Sequence, residues 1–383
     1  MRKSSVLIAL LCVLVGGTVT TAPPAAVSAP RAQATPSFNG TVWAIAFRGD
    51  VVYVGGSFTA VTFRGRSFPR RRLAALDART GAVLRWQPAA NGTVRALAVA
   101  GPAVYAAGDF DTVSRLRRDA VARIDAASGR VARFAHRISG QAATLAIGNG
   151  RVYLGGSFAS VDGVERRNLA AFSHTTGALD RSWRASAGGR VRSLAVTPGR
   201  VYLGGEFHQV NGARSADRLA AVSASSGALI AGFRPQAPAN VMDVAADARG
   251  VYTATGGPGG RAVGYSSSGA VRWTHLFDGD VHTVAVLGGI AYVGGHFDRA
   301  CRRTSTVRQL GCPAGYTPRG KLAALDARGG LTGWNPRANG KVGTHVLTTS
   351  PARHRIAAGG AFTRVGGAGR ERFALFGRPG RIG

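Results

Sequence analysis

Apolar and polar residues alternate along this chain in short runs. Thr93-Val-Arg-Ala-Leu-Ala-Val99, Arg190-Val-Arg-Ser-Leu-Ala-Val196 and Asp280-Val-His-Thr-Val-Ala-Val286 all keep a period of two. That period is the mark of half-buried strands, not of amphipathic helices. A tight turn follows, as at Arg48-Gly-Asp50 and Gly148-Asn-Gly150, and then a second apolar run that closes on glycines and an aromatic residue. In the first such unit, strands are expected over residues 41–47, 51–58, 73–77 and 82–86. The third and fourth are joined by Asp77-Ala-Arg-Thr-Gly81, and the next unit repeats this as Asp125-Ala-Ala-Ser-Gly129. Asp opens such a turn by accepting from nearby amides, and Gly closes it with positive φ. These aspartates therefore read as turn formers before they read as catalysts.

The second strand is the repeated element. Val51-Val-Tyr-Val-Gly-Gly-Ser-Phe58 has counterparts at Val104–Phe110, Val152–Phe158, Val201–Phe207, Val251–Gly257, Ala291–Phe297 and Ile356–Phe362. Seven copies about fifty residues apart, built from strands, predict an all-β fold: a seven-bladed β-propeller with four-stranded antiparallel blades. The chain's last strand candidate, Arg372-Phe-Ala-Leu-Phe376, is a third strand without a fourth. Pro36-Ser-Phe-Asn-Gly-Thr-Val42 aligns with Pro88-Ala-Ala-Asn-Gly-Thr-Val94, so the residues before Pro36 are placed to complete the last blade and cover its edge.

Composition adds a partner class and a compartment. The 55 glycines and 45% hydrophobic residues suit short strands and tight turns. Lys plus Arg number 49 against 18 Asp plus Glu, a formal charge of +31, and only Lys3, Lys321 and Lys341 are lysines. Such a field draws polyanions. Residues 1–34 read as a secretory signal: Arg2 and Lys3, an apolar run from Val6 to Val15, then small residues with cleavage after Ala29 or Ala34. The apolar run is too short to span a bilayer, and no other segment has the length. Residues 35–383 form the propeller, with an insertion at 298–320. Outside the signal remain Cys301 and Cys312, an even pair in an exported chain, expected to form a disulfide that closes the insertion.

The combination Val-Tyr-Val-Gly-Gly-Ser-Phe, a loop with Val161-Asp-Gly163 or Val210-Asn-Gly212, then Arg-Leu-Ala-Ala and a Thr-Gly turn resembles the delta-sixty repeat β-propellers of exported bacterial proteins. That resemblance spans roughly residues 36 to 377 and implies fold without implying activity. Ala75-Leu-Asp77 with Thr80-Gly81 and Trp86 also resembles the repeats of quinoprotein propellers. The spacing from Gly to the aromatic is not held from repeat to repeat, and these aromatics serve as wedges between blades without any cofactor.

Two sets of residues are candidates for function. The loops joining second to third strands are long, unequal and rich in arginine: Arg64, Arg66, Arg70, Arg71, Arg115, Arg117, Arg118, Arg166, Arg214, Arg302 and Arg303. Arginine forks bind carboxylate and phosphate in bidentate fashion. Arg72, Arg218 and Arg372, just before third strands, are read as structural. The residue before each strand-ending Phe varies from blade to blade: Ser57, Asp109, Ser157, Glu206, His296. Asp109, Glu206 and His296 would make an acid/base or metal set only if they converged. No metalloprotease, nucleophile-elbow or phosphate-loop pattern occurs. The sequence reads as a monomeric binding module without cofactor, metal or catalytic residues. Its partner is an anionic cell-wall or surface polymer, or an acidic protein; nucleic acid is disfavoured for want of aromatic platforms among the basic residues. The alternative is an oxidoreductase of quinoprotein kind, or a glycan-active propeller, using the same face.

Overall fold

The computed structural model describes residues 31–257 and 259–377. Most of the signal segment lies outside them. Among these residues, apart from one 3-10 turn at Pro351–Arg353, every regular element is a strand. Among the described residues no helix is long and apolar enough to cross a membrane.

Seven sheets repeat one plan: an inner strand pairs antiparallel with a second, and the second with a third. The inner strands are Val42–Arg48, Val94–Ala100, Ile138–Gly148, Val191–Thr197, Val241–Asp247, Val281–Leu287 and Thr344–Ser350. Each lies against the next, and Thr344–Ser350 lies against Val42–Arg48, so the order is cyclic. The hydrophobic clusters sit between sheets. One joins Tyr53, Leu73 and Trp86 of the first sheet to Val104 and Ile124 of the second; another joins Val42 and Val54 of the first to Phe373 and Leu375 of the last. The Val-Tyr element thus serves the neighbour: Tyr53 donates its hydroxyl to Ala126 O at 2.7 Å, and Tyr153 to Ala224 O at 2.9 Å. The glycine pair lets the neighbour approach. A Cβ on Gly55 would meet Val94 Cγ1 at 2.6 Å, and one on Gly359 would meet Val42 Cγ1 at 2.5 Å.

Among the described residues, the fourth strand forms in full in the fifth sheet alone, as Val271–Leu276. In the first four sheets and the sixth it shrinks to a bridge such as Leu76↔Val83 or Phe172↔Leu179. The expected strand over 82–86 is lost because its last residue leaves the sheet. The Trp86 ring packs edge-on against Tyr53, centroids 5.0 Å apart, and its indole N–H donates to Asp125 O in the next sheet at 2.9 Å. Trp183 does the same to Ser223 O at 3.1 Å.

The segment before Pro36 runs along the third strand of the last sheet. Gln33 N donates to Leu375 O at 2.9 Å and its side-chain amide to Gly377 O at 2.7 Å, while Thr35 Oγ1 donates to Phe373 O at 3.1 Å. Ala32 is buried in the cluster that holds Trp334 and Phe376.

The loops between second and third strands include short hairpins, such as Ala60–Phe63 with Arg66–Pro69 and Thr112–Val113 with Leu116–Arg117. A preceding Asn fixes them: Asn39 Oδ1 accepts from Thr59 N and Ala60 N, and Asn91 Oδ1 from Asp111 N and Thr112 N. In the insertion, the disulfide expected between Cys301 and Cys312 is present. Its loop folds back on the fifth sheet. There the buried His275 places its ring nitrogens 2.9 Å from Gly329 O and 2.9 Å from Cys301 O, and Ser305 N donates to Thr274 O at 2.8 Å.

Candidate functional site

The inner strands surround a cavity of about 460 Å³. Each carries a register shift near its start, for example between Val42 and Ala44, Val94 and Ala96, and Val281 and Thr283. The other four shift at the same place. Such a bulge takes one residue out of the ladder and re-aims its side chain. The residues so displaced are Trp43, Arg95, Ala143, Arg192, Met242, His282 and His345, and all of them line the cavity.

The residues that vary before each Phe lie beside this ring. Arg95 grips Asp109 with both arms, Nε to Oδ1 at 2.9 Å and Nη2 to Oδ2 at 2.7 Å. Arg192 grips Glu206, with Nε 2.7 Å from Oε1. His282 faces His296, ring centroids 6.1 Å apart. Asp109, Glu206 and His296 are therefore each engaged by the displaced residue of their own sheet, fourteen positions upstream. Ser157 is exposed and pairs with Gln141 in the sheet whose displaced residue is Ala143, and Ser57 is half-buried, its N–H donating to Thr41 O at 2.9 Å.

An aromatic wall runs along one side of the mouth. The Arg95 guanidinium lies 5.7 Å from the Trp43 ring centre, Trp43 stacks on His345 at 4.1 Å, and His345 stacks on His282 at 5.5 Å. Burial, and then the neighbouring His282, push His345 down to about 4, and burial lowers His282 as well. Both rings are neutral at neutral pH. His282 Nδ1 lies 3.2 Å from Thr344 O and donates to it, which leaves Nε2 unprotonated. Asp280, two residues upstream on the loop before the inner strand, joins this group: one ligand atom each from Asp280, His282 and His296 lie within 4.8 Å of one another. No sequence signal singles out Asp280 or His345, whereas the fourteen-residue offset shared by Arg95–Asp109, Arg192–Glu206 and His282–His296 is visible in the sequence.

Behind the mouth, polar residues cap the open edges of the inner strands. Asp243 accepts from Ser193 Oγ at 2.6 Å, Thr283 Oγ1 at 2.8 Å, Val244 N at 2.9 Å and Val284 N at 2.9 Å. Thr283 Oγ1 in turn accepts from Leu347 N at 2.9 Å. Burial raises the Asp243 carboxyl above its ordinary value, outweighing the donors that favour its charge. This network crosses four sheets and is architectural.

The arginine loops divide into two kinds. Arg70, Arg118 and Arg166 turn inward. Arg70 donates to Pro69 O and Leu84 O, both at 2.8 Å; Arg118 reaches Ala132 O at 2.9 Å and Arg166 reaches Asp180 O at 3.3 Å. Arg319 repeats the clamp on Thr332 O at 3.0 Å. Burial lowers all four below the usual arginine value. Arg72, Arg218 and Arg372 adopt positive φ before their third strands and donate to Phe58 O, Asn240 Oδ1 and Phe38 O. Arg64 and Arg66 lie over Phe63 and Phe68, and Arg302 donates to Tyr316 O at 3.2 Å. The side chains of Arg71, Arg115, Arg117, Arg214 and Arg303 are exposed and make no hydrogen bond or ion pair among the described residues. Arg71, Arg72 and Arg115 line a cleft of about 1030 Å³ between the first two sheets, together with Asn91 and Ser114.

No protein-family model and no curated protein matches the chain. Solved structures do. The WD40 β-propeller domain of Doa1 superposes with a TM-score of 0.56 at 10% identity, covering 91% of this chain and 97% of that one. The computationally designed Ika8 protein gives 0.52 at 13% identity over 91% and 100% of the two chains. BamB from Moraxella catarrhalis gives 0.51 at 15% identity over 90% and 99%. At such identities the likeness speaks for fold alone: the chain is all-β and of the β-propeller kind.

Proposed function

We propose that the seven sheets are the blades of one ring of the delta-sixty repeat kind, exported, and closed by residues 32–35 on the last blade. Signal cleavage then falls at Ala29 and not Ala34, since Ala32 and Gln33 belong to that closure. On this frame the hairpin-loop face docks a polyanionic polymer of the cell surface, with no chemistry performed on it. The observation that carries the reading is the set of unpaired, exposed arginines on these loops, with Arg71 and Arg115 beside a cleft, in a chain of formal charge +31. Arg70, Arg118 and Arg166 take no part, because carbonyls of their own sheets already occupy them. Several weak phosphate contacts in one geometry act together, and salt weakens each of them.

The test is retention of the full chain on immobilised poly(glycerol phosphate) across a salt series, with Arg71→Gln/Arg115→Gln alongside. Retention at low salt that fails as salt rises, and fails earlier for the double variant, supports the reading. Retention unchanged from low to high salt overturns it. Retention on an acidic protein but not on the polymer assigns the face to a protein partner instead.

A further inference from the structure

We propose that Asp280, His282 and His296 bind a divalent transition-metal ion of the zinc class at the mouth of the central cavity, a site that uses none of the exposed loop arginines. The three groups present a carboxylate oxygen and two imidazole nitrogens within 4.8 Å of one another. An ion of this class holds such ligands at about 2.0–2.2 Å, so tetrahedral neighbours lie about 3.4 Å apart and the groups need to close by up to about 1.4 Å. His296 is exposed at the end of its strand, so its side chain is the one that swings inward on binding.

The other two ligands are already oriented. His282 donates Nδ1–H to Thr344 O, which turns its Nε2 lone pair away from the backbone; this is the outer-shell bond that metal-binding histidines use. The stack of Trp43 on His345 and of His345 on His282 limits rotation of the ring. Gly257 N donates to Asp280 Oδ1 at 2.9 Å, which fixes the carboxylate beside the imidazoles.

The comparison among sheets supplies the electrostatic argument. At the same fourteen-residue offset, Arg95 is matched by Asp109 and Arg192 by Glu206, so those positions carry complementary charge. His282 and His296 offer each other no such pair; the charge beside them is the Asp280 carboxylate, and a bound cation complements it. Asp280 makes no ion pair among the described residues, although the chain is so rich in arginine. The donor set selects within the metals: nitrogen and carboxylate ligands suit zinc-class ions, and the two described cysteines are tied to each other in a disulfide. Three protein ligands leave a fourth position open for water or an anionic oxygen ligand.

The experiment is a calorimetric titration of the chelator-treated full chain with zinc chloride, followed by cobalt substitution. One equivalent is expected to bind and to raise the unfolding temperature, and cobalt is expected to give visible bands of tetrahedral intensity. His282→Gln, His296→Gln and Asp280→Asn each lower affinity by about tenfold or more and abolish the cobalt bands. The metal-free variants should melt with the metal-free wild type, which separates loss of ligation from loss of fold. His208→Gln, at a second histidine–carboxylate pair with Asp217, should bind as wild type does. The proposal falls if zinc produces neither heat nor a thermal shift, or if binding survives in the His282 and His296 variants.

Discussion

Replacing Asp243 by Ala tests whether the ring is tied together across its inner strands. The substitution removes one acceptor from two hydroxyls and two backbone amides: Ser193 Oγ on the fourth sheet, Thr283 Oγ1 and Val284 N on the sixth, and Val244 N beside it. Val244 N keeps Ser193 Oγ as an acceptor at 3.1 Å, and the hydroxyls can rotate, so the group left stranded is Val284 N–H. A stranded buried amide costs about 1–3 kcal/mol, and each hydrogen bond to a charged acceptor contributes about 1.5–3 kcal/mol. These terms overlap, and a total near 3–5 kcal/mol is expected, as for removal of one member of a buried charged network. For a chain of this size, with an unfolding entropy of about 0.7 kcal/mol/K, that is about 4–7 °C in Tm. Asp243→Asn keeps one oxygen for Ser193 and Val244 but turns an NH2 group toward Val284 N–H, and should lose roughly half as much. Urea and thermal melts at pH 7 with the disulfide intact give both values. The pH arm has a definite sign. Burial raises the folded-state carboxyl above its unfolded value, so the stability linked to Asp243 is fully present at low pH and declines as pH rises through the folded value. The Asp243→Ala deficit should therefore widen on acidification. A loss below about 1 kcal/mol, equal losses for Ala and Asn, or a deficit that shrinks with acid would refute the reasoning.

Asp180 should behave in the opposite sense. Burial pushes its carboxyl up, but Ser182, Arg151 and the Trp183 amide outweigh this and hold it at about 2. Its stabilisation is present above the unfolded value of about 3.8 and lost as pH falls toward 2. Asp180→Asn should cost about 2 kcal/mol at neutral pH, with the gap closing in acid denaturation series below pH 3. Reduction or Cys301→Ser/Cys312→Ser should free the insertion, worth about 3 kcal/mol of loop entropy, and limited proteolysis should then cut within 302–311 while the sheets persist. Arg70→Met should destabilise by about 1–3 kcal/mol through the lost carbonyl bonds while leaving retention on polyanion unchanged, the reverse of Arg71→Gln. If the chain is exported as proposed, sequencing of the processed protein should find an N-terminus at or before Arg31; a start at Thr35 would remove Gln33 from its place beside Leu375.

The repeated frame was legible in the sequence because its causes are local. The Val-Tyr pair packs the next sheet, and the glycines stand where Val94 and Val42 crowd the backbone. The disulfide followed from cysteine arithmetic. The fourth strand was over-read, since Ala82–Trp86 has strand composition but Trp86 gains more by wedging against Tyr53 than by staying in the ladder. The mouth of the cavity was half legible. The varying residues Asp109, Glu206 and His296 stand out, but their partners Arg95, Arg192 and His282 owe their direction to a bulge, and a bulge belongs to strand pairing, not to any one segment. Arg70 and Arg71 show the same limit: adjacent and identical in type, one clamps Leu84 O and the other faces solvent, and only the course of the backbone after Pro69 separates them.

The bond from Gln33 to Gly377 joins positions 344 apart in sequence. Closing a loop of that length costs about 5 kcal/mol beyond a constant, and the cost falls on a single late event. All seven sheets are each built from a contiguous stretch and can form as the chain is made; what waits is the meeting of the last sheet with the first described segment. Until then the structure is an open arc with an unpaired edge at one end, the form most prone to pair with a second copy. Folding yield should therefore be governed by the lifetime of that arc, and chain concentration during the final closure should matter more to recovery than the stability of the finished ring.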